Sequence, residues 1–224
     1  MANKADLAKR SSIDNLLPII IWNVKEMIPM PAFLKKIMIQ HFGEEKAETL
    51  WQKTEKEYND LVPLAGNESK SRKKNLIQGI YPFAALYRTL LGENMSREEA
   101  MDHMFAIMKV HTLAGNRKNY ERMGKLPFFF PLFRKMFTMG LSGDSWKVEW
   151  IANDSKHFEY NIQKCLWHDA CTELGCPELC RIFCKNDELN FIDVSRHLYF
   201  TRSKTLGAGQ DCCDFHFYPS EPQK

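Results

Sequence analysis

Along the first half of the chain apolar residues recur every three or four positions, and after about residue 145 they alternate with polar ones. Pro31 and Gly43 bracket a helix over 33–42, and 44–62 continues as a second helix with Leu50, Trp51, Tyr58 and Leu61 on one face. The stretch 75–91 places Ile77, Ile80, Phe83, Ala84 and Tyr87 in an apolar stripe, with Pro82 as a kink and Gly92 as the stop. Ser96 followed by Glu99 is a capping-box pattern, and it opens a helix carrying Met101, Met104, Phe105, Met108 and His111. These methionines read most simply as core, because flexible thioethers fill irregular gaps between helices. Further on, Trp146, Val148 and Trp150 alternate with Lys147 and Glu149, and Phe158, Tyr160 and Ile162 alternate with polar neighbours up to Cys165. Residues 166–174 return to a helical pattern, Gly175-Cys176-Pro177 breaks the chain, and 178–184 forms another helical piece. Two last strands, 198–205 and 212–218, are joined through Gly207-Ala208-Gly209, which suits a hairpin loop. The fold class is α+β: N-terminal helices packed on a C-terminal antiparallel sheet interrupted by a helical pair.

Composition sharpens this picture. With 224 residues, 44% of them hydrophobic, the chain can build a sizeable core as one domain or as one domain with a helical appendage. The net charge of +3 conceals an acidic C-terminal region, since 165–218 holds five Lys/Arg against eight Asp/Glu, and no nucleic-acid partner is expected there. The basic clusters Lys70, Arg72, Lys73, Lys74 and Arg117, Lys118, Arg122, Lys125 read as solvated faces. The apolar run 16–22 follows Asp14, contains Pro18 and gives way to Asn23, so no export signal is expected, and no apolar stretch reaches the ~20 residues that cross a bilayer. A soluble chain with no membrane partner follows. All seven cysteines fall after residue 164, an odd number that without an export signal points to free thiols in a reducing compartment, by default the cytoplasm. Walker-type loops, Gly-x-Ser-x-Gly elbows and His-Glu-x-x-His are absent, and Gly207-Ala208-Gly209 lacks the strand and helix of a dinucleotide loop. Phe128-Phe129-Phe130 between Pro127 and Pro131, with Phe133, Met136 and Phe137, suits core packing or an apolar pocket wall.

A set of short motifs carries a resemblance. Cys165, then Gly175-Cys176-Pro177-Glu178-Leu179, Phe183-Cys184-Lys185-Asn186-Asp187, Arg202…Thr205-Leu206, Gly209 and Cys213-Asp214-Phe215, together with Tyr87-Arg88 and Trp146…Trp150 upstream, resemble the L-2-amino-thiazoline-4-carboxylic acid hydrolase family. The resemblance covers 67–218 and leaves 1–66 as a helical N-terminal extension; Gly207-Ala208-Gly209 and the additional Cys171, Cys176, Cys180 and Cys212 depart from the family pattern. It implies a small-molecule substrate and hydrolysis of a cyclic amidine or thiazoline-type carboxylate at a non-peptide C–N bond. Vinyl-reductase-like sensor domains look similar in outline and imply the alternative of a small-molecule or metal-binding domain without turnover.

Such hydrolysis needs a nucleophile, a proton for the departing nitrogen and a cation for the carboxylate. A cysteine can attack if its thiol, normally near pKa 8.5, is lowered by its surroundings, or it can ligate a metal that activates water. On the family pattern Cys165, Cys184 and Cys213 are the site thiols with Asp187 beside them, and the same three sulfurs would be the ligands of any metal, zinc being the ion they suit. No Cys-x-x-Cys occurs, and Cys171, Cys176, Cys180 and Cys212 read as structural thiols. Arg202 is the candidate grip for a carboxylate, with a cross-strand ion pair as its plain alternative. His168, three residues after Cys165, could act as a base, Asp187 could instead cap a helix at 188–194, and Asp214 could belong to the site or to a cross-strand pair. Oligomeric state is not legible in this pattern.

Overall fold

A computed structural model describes residues 30–220, so the run 16–22 on which the export reading rests lies outside the described residues. Helices α1 (Met30–Phe42) and α2 (Glu44–Leu61) come first. α3 (Lys70–Asn75) then leads through a π-helical turn (Leu76–Ile80) into α4 (Tyr81–Gly92). The kinked helix expected over 75–91 lies within one continuous helical run, 70–92, and its irregularity is the π turn just before Pro82. Pro82 has no N–H to offer the preceding turn, and the π segment in front of it absorbs the mismatch.

The start of α5 (Arg97–Ala114) is a complete capping box: Ser96 Oγ accepts from Glu99 N at 3.2 Å, and Glu99 Oε2 accepts from Ser96 N at 2.9 Å. α6 (Asn116–Met123) and α7 (Phe129–Leu141) complete the helical part before the sheet. Leu34, Ile37, Leu50 and Trp51 share one buried cluster with Phe83, Tyr87, Met104 and Met108 and with Cys171, Leu179 and Ile182 far downstream. The described helices before residue 66 are thus built into the same core as the rest.

Four antiparallel strands, β1 (Trp146–Asn153), β2 (Phe158–Cys165), β3 (Tyr199–Thr201) and β4 (Cys213–Tyr218), lie in the order β1-β2-β4-β3. The β1–β2 turn is organised by Asp154, whose Oδ1 accepts from the N–H groups of Lys156 (2.7 Å) and His157 (2.9 Å). A second core forms where one sheet face meets α7: Phe129, Phe133, Phe158, Tyr160, Phe191, Phe200 and Phe217 are buried together. The strand expected over 198–205 ends at Thr201, because Ser203 and Lys204 turn their N–H groups to the Asp214 carboxylate instead of to a partner strand.

Between β2 and β3 stands the helical pair. α8 (Leu166–Glu173) ends in a Schellman motif: Gly175 has φ of 72°, Cys176 N donates to Cys171 O at 2.9 Å and Gly175 N to Thr172 O at 3.0 Å. A 3₁₀ turn (Pro177–Leu179) then feeds α9 (Cys180–Phe191). Glu178 in that turn accepts from Tyr87 Oη at 2.6 Å and pairs with Arg97, which fixes the pair against α4 and α5. α9 is one helix through residue 191, so Asp187 lies inside it and caps nothing; the helix expected to start at 188 does not exist separately. Among the described residues no helix is long and apolar enough to cross a membrane.

Candidate active site

Where the two cores meet, a cavity of about 410 Å³ opens between α9, the inner face of β2 and β4, and the helices α6 and α7. Helical spacing puts Cys180, Cys184, Asp187 and Phe191 on its wall from α9, and strand alternation puts Cys213 and Phe215 there from β4. Cys165 enters from the end of β2, at the N-cap of α8.

The sulfur of Cys184 is the centre of the polar part. The thiols of Cys180, one turn earlier, and of Cys213 both donate to it, the N–H of Gly207 points to it, and the Arg202 guanidinium stands near. These donors, Cys180 first, outweigh burial and hold the Cys184 thiol well below the usual range. The same contacts with Cys184, together with burial, push the Cys180 and Cys213 thiols upward, and Leu206 N donates to Cys213 Sγ at 3.2 Å. Leu206 and Gly207 supply those N–H groups from a 3₁₀ turn (Leu206–Ala208) capped by Thr205 Oγ1, which accepts from Ala208 N at 3.1 Å. Gly207 is required by close approach: a Cβ there would lie 2.9 Å from Cys184 Sγ and 3.2 Å from Cys180 Sγ.

Asp187 sits one turn beyond Cys184, packed deep among protein atoms yet with 31% of its side-chain surface open, towards the cavity it lines. Burial raises its pKa to about 7, and the nearby Cys184 charge adds to this, while Arg202 opposes both. Arg202 donates from Nη1 to Asp187 Oδ2 at 2.8 Å, and from Nη2 to Cys184 O at 2.7 Å and Glu188 Oε1 at 3.3 Å. Its side chain is 2% exposed and lies over the Phe215 ring, 5.1 Å from the centroid.

Four of the residues singled out in the sequence, Cys165, Cys184, Asp187 and Cys213, therefore line one cavity. Three do not. Arg202 lies behind Asp187, with both Nη atoms bonded to protein acceptors, so a carboxylate grip is not its observed arrangement. Asp214 follows Cys213 on the strand and so faces the other side of the sheet, where Ser203 Oγ (2.6 Å) and Ser203 N (2.9 Å) donate to it. The cross-strand ion pair is not formed either: His216, whose Nε2 lies 3.5 Å from Asp214 Oδ2, is two residues along the same strand, and the residue opposite Asp214 on β2 is Asn161. The His168 ring sits at the surface, 3.6 Å from Asp169, outside the cavity. Cys165 is pushed up to about 12 by burial, against the N–H groups of His168 and Trp167 that act on its sulfur. Among the described residues no three His, Cys, Asp or Glu side chains are grouped to hold a metal ion, so the zinc set Cys165, Cys184 and Cys213 is not formed.

Sequence reasoning missed Cys180, set aside as structural although it hydrogen-bonds Cys184; its i, i+4 spacing to Cys184 was the available signal. It also missed Asn186, whose Oδ1 accepts from Thr112 Oγ1 (2.6 Å) and Asn190 Nδ2 (3.2 Å), orienting the amide at the cavity wall. Of the aromatic segment, Phe129, Phe130 and Phe133 are core, while Met136 and Phe137 line the cavity. Trp146 stacks on Trp167 at 5.4 Å and 13° to form another part of the wall.

Comparison with known families matches residues 73–217 to the model of L-2-amino-thiazoline-4-carboxylic acid hydrolase, a span containing every residue of the cavity wall. No curated protein matches the chain.

Proposed function

The chain belongs to the L-2-amino-thiazoline-4-carboxylic acid hydrolase family, and from that premise we propose that it hydrolyses a small amidine-type molecule in this cavity by cysteine chemistry. The observation that carries the proposal is the convergence of the Cys180 and Cys213 thiols, the Gly207 N–H and the Arg202 guanidinium on the sulfur of Cys184. A thiolate is the nucleophilic form of cysteine, and such an environment keeps it populated at neutral pH.

Cys184 is the nucleophile and Asp187, one turn away, the proton donor. The thiolate attacks the sp² carbon, a C–S bond forms, and the π pair of the C=N bond takes the Asp187 proton. Collapse breaks the bond to the departing amine, a proton passing from the nitrogen that stays through the Asp187 carboxylate to the one that leaves, and a neutral thioimidate remains on Cys184. Water then adds to that carbon, Asp187 recovers a proton from it, and Cys184 departs as thiolate. Asp187, with its pKa near neutrality, is suited to give and regain a proton in this cycle. Arg202 positions Asp187 without touching the substrate, and the Asn186 amide is the polar wall group available to orient it.

The test is turnover of a panel of 2-amino-thiazolines, with and without a 4-carboxylate, followed by mass spectrometry for the addition of water and for an adduct on the Cys184 peptide. Adduct formation and turnover that both vanish in Cys184→Ser are expected. Full turnover in that variant would remove the mechanism. Saturable binding of a panel compound with no turnover would favour a sensing role.

A further inference from the structure

Among the described residues the cavity wall is aromatic and carries no cation. Trp146, Trp167, Phe137, Phe183 and Phe215 contribute ring surface, and no described Lys, Arg or His lines it. Asp187 is the one carboxylate that the described residues place on the wall, and it stands one turn from Cys184. The nearest guanidinium, Arg202, is 2% exposed and bonded to Asp187, Glu188 and the Cys184 carbonyl. A substrate carboxylate entering this partly open space would give up part of its water, meet no opposite charge on the described wall and face an acid and a thiol cluster instead. Moving an anion there is unfavourable unless it is paired. An aromatic or alkyl group gains by the same transfer, through removal of apolar surface from water and through ring contacts. The volume, about 410 Å³, falls within the roughly 300–1,000 Å³ range of pockets that hold drug-sized ligands and exceeds the need of one substituted five-membered ring.

We propose that the substrate of this cavity is an amidine bearing an apolar ring or alkyl arm and lacking a carboxylate, the arm lying against Trp146 and Trp167 and the amidine carbon at Cys184. This rests on the reading of the cavity as a site of amidine hydrolysis and narrows it to a substrate class. The family match alone would have pointed to a carboxylate, and the difference is written in the wall residues.

Two probes decide it: 2-amino-4-phenyl-thiazoline and L-2-amino-thiazoline-4-carboxylate, each titrated by calorimetry into the Cys184→Ala protein, where no turnover intervenes. The phenyl compound is expected to bind at least about tenfold more tightly, a difference of ~1.4 kcal/mol. Trp167→Ala is expected to erase most of that preference, while Trp167→Phe, which keeps a ring in place should the alanine variant fold poorly, retains it. Equal or tighter binding of the carboxylate overturns the proposal, as does the absence of saturable binding for the phenyl compound. Turnover is read separately on the wild-type chain. Tight phenyl binding without hydrolysis sinks the hydrolase reading and leaves the ligand class, whereas efficient hydrolysis of the carboxylate alone does the reverse.

Discussion

Two cysteines face the same cavity from opposite supports and end in opposite states. Cys165 occupies the N-cap of α8, the position where a helix dipole favours negative charge, yet its thiol is pushed up to about 12. Cys184 lies inside α9, past that helix's own first turn, and its thiol is pulled down. The difference is in the donors. At Cys165 two backbone N–H groups work against burial and lose, whereas at Cys184 two thiols, a backbone N–H and a guanidinium converge on one sulfur. A helix N-terminus alone does not activate a buried thiol here, while a convergent set of donors does.

The sharpest way to break this contrast is to exchange the sulfurs one at a time. Cys184→Ser is expected to lower kcat by at least ~10³-fold, as loss of a nucleophile does, while Cys165→Ser stays within about tenfold of wild type. Comparable losses in the two variants, measured as steady-state turnover on the amidine panel, would erase the distinction. Next in size is Gly207→Ala, whose methyl would intrude on Cys184 Sγ and push the N–H-bearing turn away. A fall of about 10²-fold in kcat is expected, of the order that a 1 Å misplacement of reacting groups costs.

Smaller effects probe the electrostatics. Removing one donor with Cys213→Ala should raise the Cys184 pKa by about one unit, worth ~1.4 kcal/mol. The pH dependence of iodoacetamide labelling at the Cys184 peptide reads this, and an unchanged profile would show that Cys213 contributes nothing. The rate should also decline as pH rises through about 7, because the raised pKa of Asp187 means that its proton is lost there. The groups acting on that carboxyl are Arg202, Cys184 and Glu188, with the Tyr120 and Tyr160 hydroxyls near it. Asp187→Asn should flatten that limb in a pH–rate profile. Least for activity is Asp214→Ala on the outward face of β4: a loss of roughly 1–3 kcal/mol in urea unfolding, from the Ser203 and Lys204 N–H groups that lose their acceptor, with turnover per folded molecule nearly unchanged.

How far the sequence was legible follows the same division between local and convergent causes. The Ser96–Glu99 cap, the β1–β2 pair and the α+β order depend on residues close in the chain, and periodicity and capping chemistry revealed them. The irregularity read from Pro82 does occur, as the π turn just before it, whereas the unbroken run of α9 through Asp187 depends on packing against distant elements, and the local cap signal there misplaced a helix start. At the site, strand and helix periods could assign Cys184, Asp187 and Cys213 to faces, and Cys180 to the turn before Cys184, while the remaining partners came from elsewhere in the chain. Arg202 reads as a free cation in sequence because Asp187 and Glu188 lie 15 and 14 positions away. Asp214 looked like a member of the site through its neighbour Cys213, and a one-residue step along a strand put it on the other face.

Because the hollow takes its walls from both buried clusters, anything held there fastens two otherwise separate packing units to each other. A molecule present at 100 times its dissociation constant would add about 2.7 kcal/mol to the free energy of unfolding. Amide protons of α9 and of β4 would then slow their exchange in concert, so occupancy of one small space would register as rigidity on both sides of the junction.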